Sequence, residues 1–160
     1  MGEAVVVIGV GNSDRGDDAA GRRVAAALRS TLPNEVVVVE SDGDPAAIMD
    51  AWEGADRAVL VDAMVSGAAP GTVRRIDATD HPMPVAVQLA STHGMGAAEA
   101  IELARALGRL PGRLVVYGIE GISFHPGGEI TPEVMEGCEV AVGMVRAEVG
   151  DGGGPVGGGS

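Results

Sequence analysis

Asp18, Asp62 and His93 are the residues with which this chain could most directly do chemistry. Two carboxylates and an imidazole suit a borderline divalent ion that keeps some positions open. Each residue also has an ordinary structural reading. Asp18 follows Asp17 where a helix is expected to open, and first-turn acids suit a helix dipole. Asp62 follows Val59-Leu60-Val61, and a carboxylate in such an apolar run is costly to desolvate unless it has a partner or a task. His93, between Thr92 and Gly94, could simply cap the next helix. No compact H-E-x-x-H motif joins the three, so only the fold can bring them together.

Two other chemistries have weaker support. Gly9-Val10-Gly11 after an apolar run looks like the start of a dinucleotide-binding turn, but Asp14 stands at the third glycine position. Asp17 and Asp18 would then face a pyrophosphate and repel it. A nucleophilic hydrolase would need an activated serine or cysteine. There is no G-x-S-x-G elbow, and nothing near Ser91 forms an oxyanion hole. Cys138 falls on the inward face of an expected helix and reads as a small core residue. His81 and His125 lie in loops and read as solvated.

The elements that must position these residues alternate. Residues 4–10 (AVVVIGV) are apolar throughout, as in a strand covered on both faces. A helix follows from Asp17-Asp18, with Ala20, Val24, Ala27 and Leu28 inward. Residues 35–40 form a second strand, and Asp44-Pro45 cap and open a short helix carrying Ile48, Met49 and Trp52. Residues 58–63 form a third strand with Asp62 near its carboxyl end. Residues 72–76, a short loop later, form an edge strand too close to be reached by a helical crossover, and so antiparallel. A helix is expected over 94–107, with Met95, Ala98, Ile101 and Leu103 or Ala104 inward. The last strand spans 113–119, and a Gly-rich loop covers 120–130. The final helix starts at Thr131-Pro132-Glu133, its face being Val134, Cys138, Ala141, Val142 and Val145. This order predicts a three-layer αβα sandwich with a five-stranded, mostly parallel sheet and one antiparallel strand, of the phosphorylase/hydrolase-like kind. One domain is expected over 1–148, and a disordered Gly-rich tail over 149–160. In such sheets the site lies beyond the carboxyl ends of the strands. Asp18, Asp62 and His93 all fall at that edge, as do Glu40, Asp42, Asp44 and Glu120.

Composition narrows the partners. Hydrophobic residues make up 46% and aromatics 2%, so Val, Ile, Leu, Met and Ala must fill the core. The formal charge is −12, from 23 acids against 11 bases, all of them scattered arginines. A nucleic-acid partner is therefore not expected. The single cysteine excludes an internal disulfide. No apolar run approaches the ~20 residues of a membrane span, and no signal peptide is visible. A cytoplasmic protein without a membrane partner is expected, acting as a monomer.

Three segments then resemble one family. Gly9-Val10-Gly11-Asn12, followed by Gly16-Asp17-Asp18 and Gly21, resembles the opening motif of the hydrogenase maturation endopeptidases. Val61-Asp62-Ala63 with Pro70-Gly71-Thr72 resembles their second motif, and Ser91-Thr92-His93-Gly94 their third. Order, spacing and flanking strands agree from Val5 to about Val145. The resemblance implies an endopeptidase that removes the C-terminal extension of a nickel–iron hydrogenase large-subunit precursor after nickel insertion. The bound nickel would be the recognition signal, supplied by the precursor rather than resident in the enzyme. It also implies that Asp18, Asp62 and His93 contact the metal and carry the reaction, with either carboxylate as general base or the metal activating the water. Some members have Glu where this chain has Asp18. Many have an Asp implicated in cleavage specificity after the second strand, where this chain has Glu40-Ser41-Asp42-Gly43-Asp44, and either Glu40 or Asp42 could take that role. A non-catalytic, metal-reading assembly factor for the same precursor is the alternative.

Overall fold

The computed structural model describes residues 2–92 and 95–150; the expected tail at 151–160 and the His93-Gly94 pair lie outside the described residues. The chain runs β1 (Val5–Val10), a 3-10 turn (Gly16–Ala19), α1 (Ala20–Arg29), β2 (Val37–Ser41), α2 (Pro45–Trp52), β3 (Arg57–Val65) and β4 (Val73–Asp77). It continues through three two-residue strands, β5 (Gln88–Leu89), β6 (Ser91–Thr92) and β7 (Met95–Gly96), to α3 (Ala97–Leu107), β8 (Arg113–Glu120) and α4 (Pro132–Gly150).

The main sheet has the order β2-β1-β3-β8-β4. Its pairings are parallel except at β4, which runs antiparallel to β8 as its short connection requires. β1 is buried along its whole length and β3 and β8 along nearly all of theirs, which explains their uninterrupted apolar runs. α1 and α4 cover one face, over Val7, Val59, Val61 and Val115. α2 and α3 cover the other, over Val6, Ile8, Leu60 and Val116. The αβα sandwich and its mixed sheet are as expected.

Several details differ from the sequence reading. The helix after β1 opens as a 3-10 turn, and the α-helix proper begins at Ala20. Ala25, not Ala27, faces its core. α3 begins at Ala97 rather than Gly94, because Met95-Gly96 pairs antiparallel with Ser91-Thr92. Its buried residues are Ala97, Ala100, Ile101 and Ala104, while Leu103 is 47% exposed. α4 runs past residue 148 because Val149 packs into the core. Arg57, itself buried, donates to the carbonyls of Glu148 and Val149 and so caps the end of that helix. A short strand the sequence reading did not contain, β5, pairs antiparallel with the end of β3.

The seating of α1 on the sheet depends on missing side chains. A Cβ on Gly9 would lie 2.2 Å from the Gly21 carbonyl oxygen, and one on Gly21 would lie 2.3 Å from that of Val61. Strand and helix backbones thus approach more closely than any side chain allows. Gly9→Ala is expected to cost about 2–4 kcal/mol. Gly143→Ala, on the exposed face of α4 with open space around it, is expected to stabilise by about 0.5–1 kcal/mol. Urea denaturation midpoints test both, and a Gly9→Ala protein as stable as the parent would contradict the close seating.

Candidate functional site

The loop after β1 is shaped by its own side chains before it carries any acid. Asn12 accepts the Asp14 N–H through its side-chain oxygen at 2.9 Å, closing an Asx turn. Gly11 has φ +155, and a Cβ there would lie 1.9 Å from the Asp18 carbonyl oxygen. The 3-10 turn therefore folds back onto the strand end and turns the two neighbouring acids in different directions.

Asp17 faces the loop after β8. Its carboxylate accepts the N–H groups of Ile122 and Ser123, both at 2.9 Å, and of Thr131 at 2.8 Å, together with the Thr131 hydroxyl at 3.0 Å. Burial raises its pKa, but these bonds outweigh burial and hold it below the usual carboxylate value. Sequence reading saw Asp17 only as a helix opener. The signal for more was the Asp-Asp pair itself, since two adjacent acids on a 3-10 turn cannot face the same way.

Asp18 faces a cleft of about 290 Å³. It is 3% exposed, and the Arg15 guanidinium lies 3.8 Å away. Burial raises its pKa more than Arg15 and the Asn12 N–H lower it. Asp62 on β3 is 0% exposed, and neither carboxylate oxygen has a hydrogen-bond partner among the described residues. Its pKa is driven well above the usual value, first by burial and then by the charge of Asp18. The Ala63 N–H works the other way without reaching hydrogen-bond geometry. Asp18 is thus near enough to Asp62 to act on it electrostatically, while His93, the third residue of the expected cluster, lies outside the described residues. Among the described residues, no three His, Cys, Asp or Glu side chains form a metal-holding group.

The other expected residues separate. Glu40, at the end of β2, is held by Arg22 at 3.1 Å and Arg29 at 3.0 Å, both from α1. Burial acts against these two arginines, which nonetheless keep its pKa below the usual value. Asp42 is exposed in the following loop, where it accepts the Asp44 N–H at 3.1 Å. Asp44 caps α2 through the Ala47 N–H at 3.2 Å. Glu120 is buried in β8 rather than standing in a loop, and it accepts the N–H groups of Ser66 and Gly67 and the Ser66 hydroxyl. Cys138 is 3% exposed, and burial pushes its thiol up to about 11, which leaves no thiolate for catalysis. His81 and His125 are exposed in loops.

The cleft contains residues that sequence reading missed. Besides Asp18 it is lined by Arg15, by Phe124 from the loop latched by Asp17, and by Val65 and residues 88–90. No periodicity marks a strand as short as β5, so nothing in the sequence separates residues 88–90 from a loop.

Asp17 and Asp62 predict opposite pH behaviour. Asp17 has a lowered folded pKa, so its stabilisation is complete above the unfolded value of ~4 and is lost as pH falls through the folded value. Asp17→Asn is expected to destabilise by about 1–3 kcal/mol at neutral pH, with the deficit shrinking in acid. Asp62 has a raised folded pKa, so stability is full below ~4 and falls as pH rises through the folded value. Metal-free Asp62→Asn is therefore expected to melt above the parent at pH ~7 and level with it in acid. Melting curves across pH with a chelator present decide both, and a parent-like Asp62→Asn profile would contradict the orphaned carboxylate.

Comparison with known proteins bears on the family and the fold. The family model described as hydrogenase maturation protease, HycI, matches residues 23–148, a span that contains Asp62 and His93 and begins after Asp18. The hydrogenase 2 maturation protease of Escherichia coli K12 is 30% identical over 146 residues, covering 89% of this chain and 88% of that protein. The hydrogenase expression/formation protein HupD of Thiocapsa roseopersicina is 27% identical over 143 residues, and the match spans 88% of this chain but 65% of HupD. Among solved structures, the hydrogenase maturating endopeptidase HybD from E. coli superposes with TM-score 0.79 at 28% identity, covering 96% of this chain and 94% of that one. The nickel–iron hydrogenase maturation protease HybD from Thermococcus kodakarensis gives TM-score 0.72 at 26% identity, covering 92% of this chain and 98% of that one. The chain belongs to the hydrogenase maturation protease family, a family of peptidases.

Proposed function

We propose that this chain is the endopeptidase that trims the C-terminal extension from a nickel–iron hydrogenase large-subunit precursor, and that it reads nickel already inserted there through Asp18, Asp62 and His93. The observation that carries this reading is the Asp62 carboxylate, fully buried, with neither oxygen partnered among the described residues, and in the field of Asp18. Two buried carboxylates repel when both are charged, so the pair must hold a proton or receive a cation. A divalent ion delivered by the substrate replaces that proton and relieves the repulsion. Two acids and one imidazole leave room for the precursor's own ligands around the ion.

With nickel in place both acids are ionised, and either can take a proton from the attacking water. The metal itself lowers the pKa of a water bound to it. For specificity, Asp42 suits contact with the precursor better than Glu40. It is exposed, whereas Glu40 is committed to two arginines of α1. Action on a soluble precursor fits a monomeric, cytoplasmic enzyme without nucleic-acid or membrane partners, and no described helix is long and apolar enough to cross a membrane.

Incubation with a nickel-loaded cognate precursor is expected to yield a shortened large subunit by mass spectrometry. Asp62→Asn and His93→Ala are each expected to lower kcat/KM by at least about a hundredfold. Activity is expected to fall on the acid side around pH ~6, where a histidine of ordinary pKa protonates and ceases to ligate. An uncut precursor, or full cleavage by the double variant, would sink the reading. Nickel or cadmium titration of the free protein offers a second check: micromolar binding is expected, lost in both variants.

A further inference from the structure

β5 sits where β3 outruns β1. β1 pairs with β3 only as far as Gly9 opposite Val61, so the end of β3 is open on that side. β5 fills the gap, with Met64 opposite Leu89 and Val65 opposite Gln88. The Ala90 N–H donates to the Ala63 carbonyl at 2.9 Å, which makes 63–90 and, by alternation, 65–88 the hydrogen-bonded pairs. Leu89 falls between them at the non-hydrogen-bonded position, so its N–H and C=O point away from β3. Met64, opposite it, follows the same rule: its carbonyl points to the other side and accepts the Gly121 N–H at 3.0 Å. Among the described residues β5 pairs with no strand other than β3. Gln88, Leu89 and Ala90 line the cleft that Asp18 also lines, with Leu89 7% exposed.

We infer that the cleft takes an extended stretch of the precursor polypeptide as an added strand along β5, held by the N–H and C=O of Leu89. The inference rests on the endopeptidase reading above. The cleft's chemistry matches a peptide main chain. One wall offers an unshared donor and acceptor at strand spacing, and the flanks offer Val65, 47% exposed, and Phe124 to apolar side chains. Main-chain pairing gives affinity largely independent of the substrate's sequence, while the flanking pockets choose side chains. It also sets the register of the chain, and register decides which peptide bond comes opposite Asp18. The Asp17 latch gains a function in this arrangement, because it holds the loop that carries Phe124.

The test separates the Leu89 main chain from its side chain. Leu89→Pro removes the outward N–H at an edge position where no sheet bond uses it. Leu89→Ala keeps the N–H and loses the side chain. Leu89→Pro is expected to raise KM for the nickel-loaded precursor about tenfold above that of Leu89→Ala, which loses the same core side chain, with the kcat of the two variants within about twofold. Equal KM values for the two variants would overturn the inference. Circular dichroism confirms that the proline variant is folded. Amide hydrogen exchange of the unmutated protein, mixed with the precursor in the cold, gives an answer that needs no variant. The Leu89 amide is expected to exchange at least about tenfold more slowly in the complex. An unprotected Leu89 in a complex that forms would overturn the inference. Protection without cleavage supports added-strand docking and removes only the cleavage reading. Failure to form any complex removes both.

Discussion

A carboxylate taken out of water must find donors, a counter-charge, a proton or a cation. Three buried acids of this protein answer that demand in different ways, and the site follows from the difference. Asp17 is satisfied by backbone N–H groups and a hydroxyl from the loop after β8, and so becomes a structural tie. Glu120 is satisfied by Ser66 and Gly67, and fixes the loop between β3 and β4. Asp62 has no such partner among the described residues, and it lies within the field of another buried acid, Asp18. On the proposed reading, reactivity is what remains once the other carboxylates have been used to build the frame.

The frame was largely legible in the sequence, for reasons tied to particular residues. Strands buried on both faces leave no polar positions, so residues 5–10, 58–63 and 113–119 announced themselves by composition. Asp44-Pro45 marked the start of α2 because a side-chain acceptor followed by a residue without an N–H suits few other places. The antiparallel β4 followed from a connection too short for a crossover. What stayed hidden was settled by tertiary contacts. Nothing local states that Asp17 bonds to residues more than a hundred positions away, or that this contact tightens the turn ahead of α1. β5 exists because β3 outruns β1, a fact about neighbours rather than about residues 88 and 89. The start of α3 was placed too early because the pairing of β6 with β7 uses Met95 and Gly96, which helical periodicity had claimed.

The acids of the site were legible individually and ambiguous individually. Asp18 and Asp62 were named from position in an α/β sheet, and the fold brings them into electrostatic contact. Glu40 and Asp42 could not be told apart by sequence because both follow the same strand. The ion pairs of Glu40 with Arg22 and Arg29 separate them, since a carboxylate already held by two guanidinium groups is a poor probe of a partner.

Gly11 bears on how such a site can change over time. What it accommodates is the carbonyl oxygen of Asp18, not the carboxylate. The steric demand at Gly11 therefore falls on the backbone at position 18, not on the side chain mounted there. An acid one methylene longer can occupy the same turn without any change in the glycines that seat it. The turn and the acid it presents are thus separately evolvable, and on the proposed reading a lineage can retune the reach of that acid while inheriting the turn unaltered.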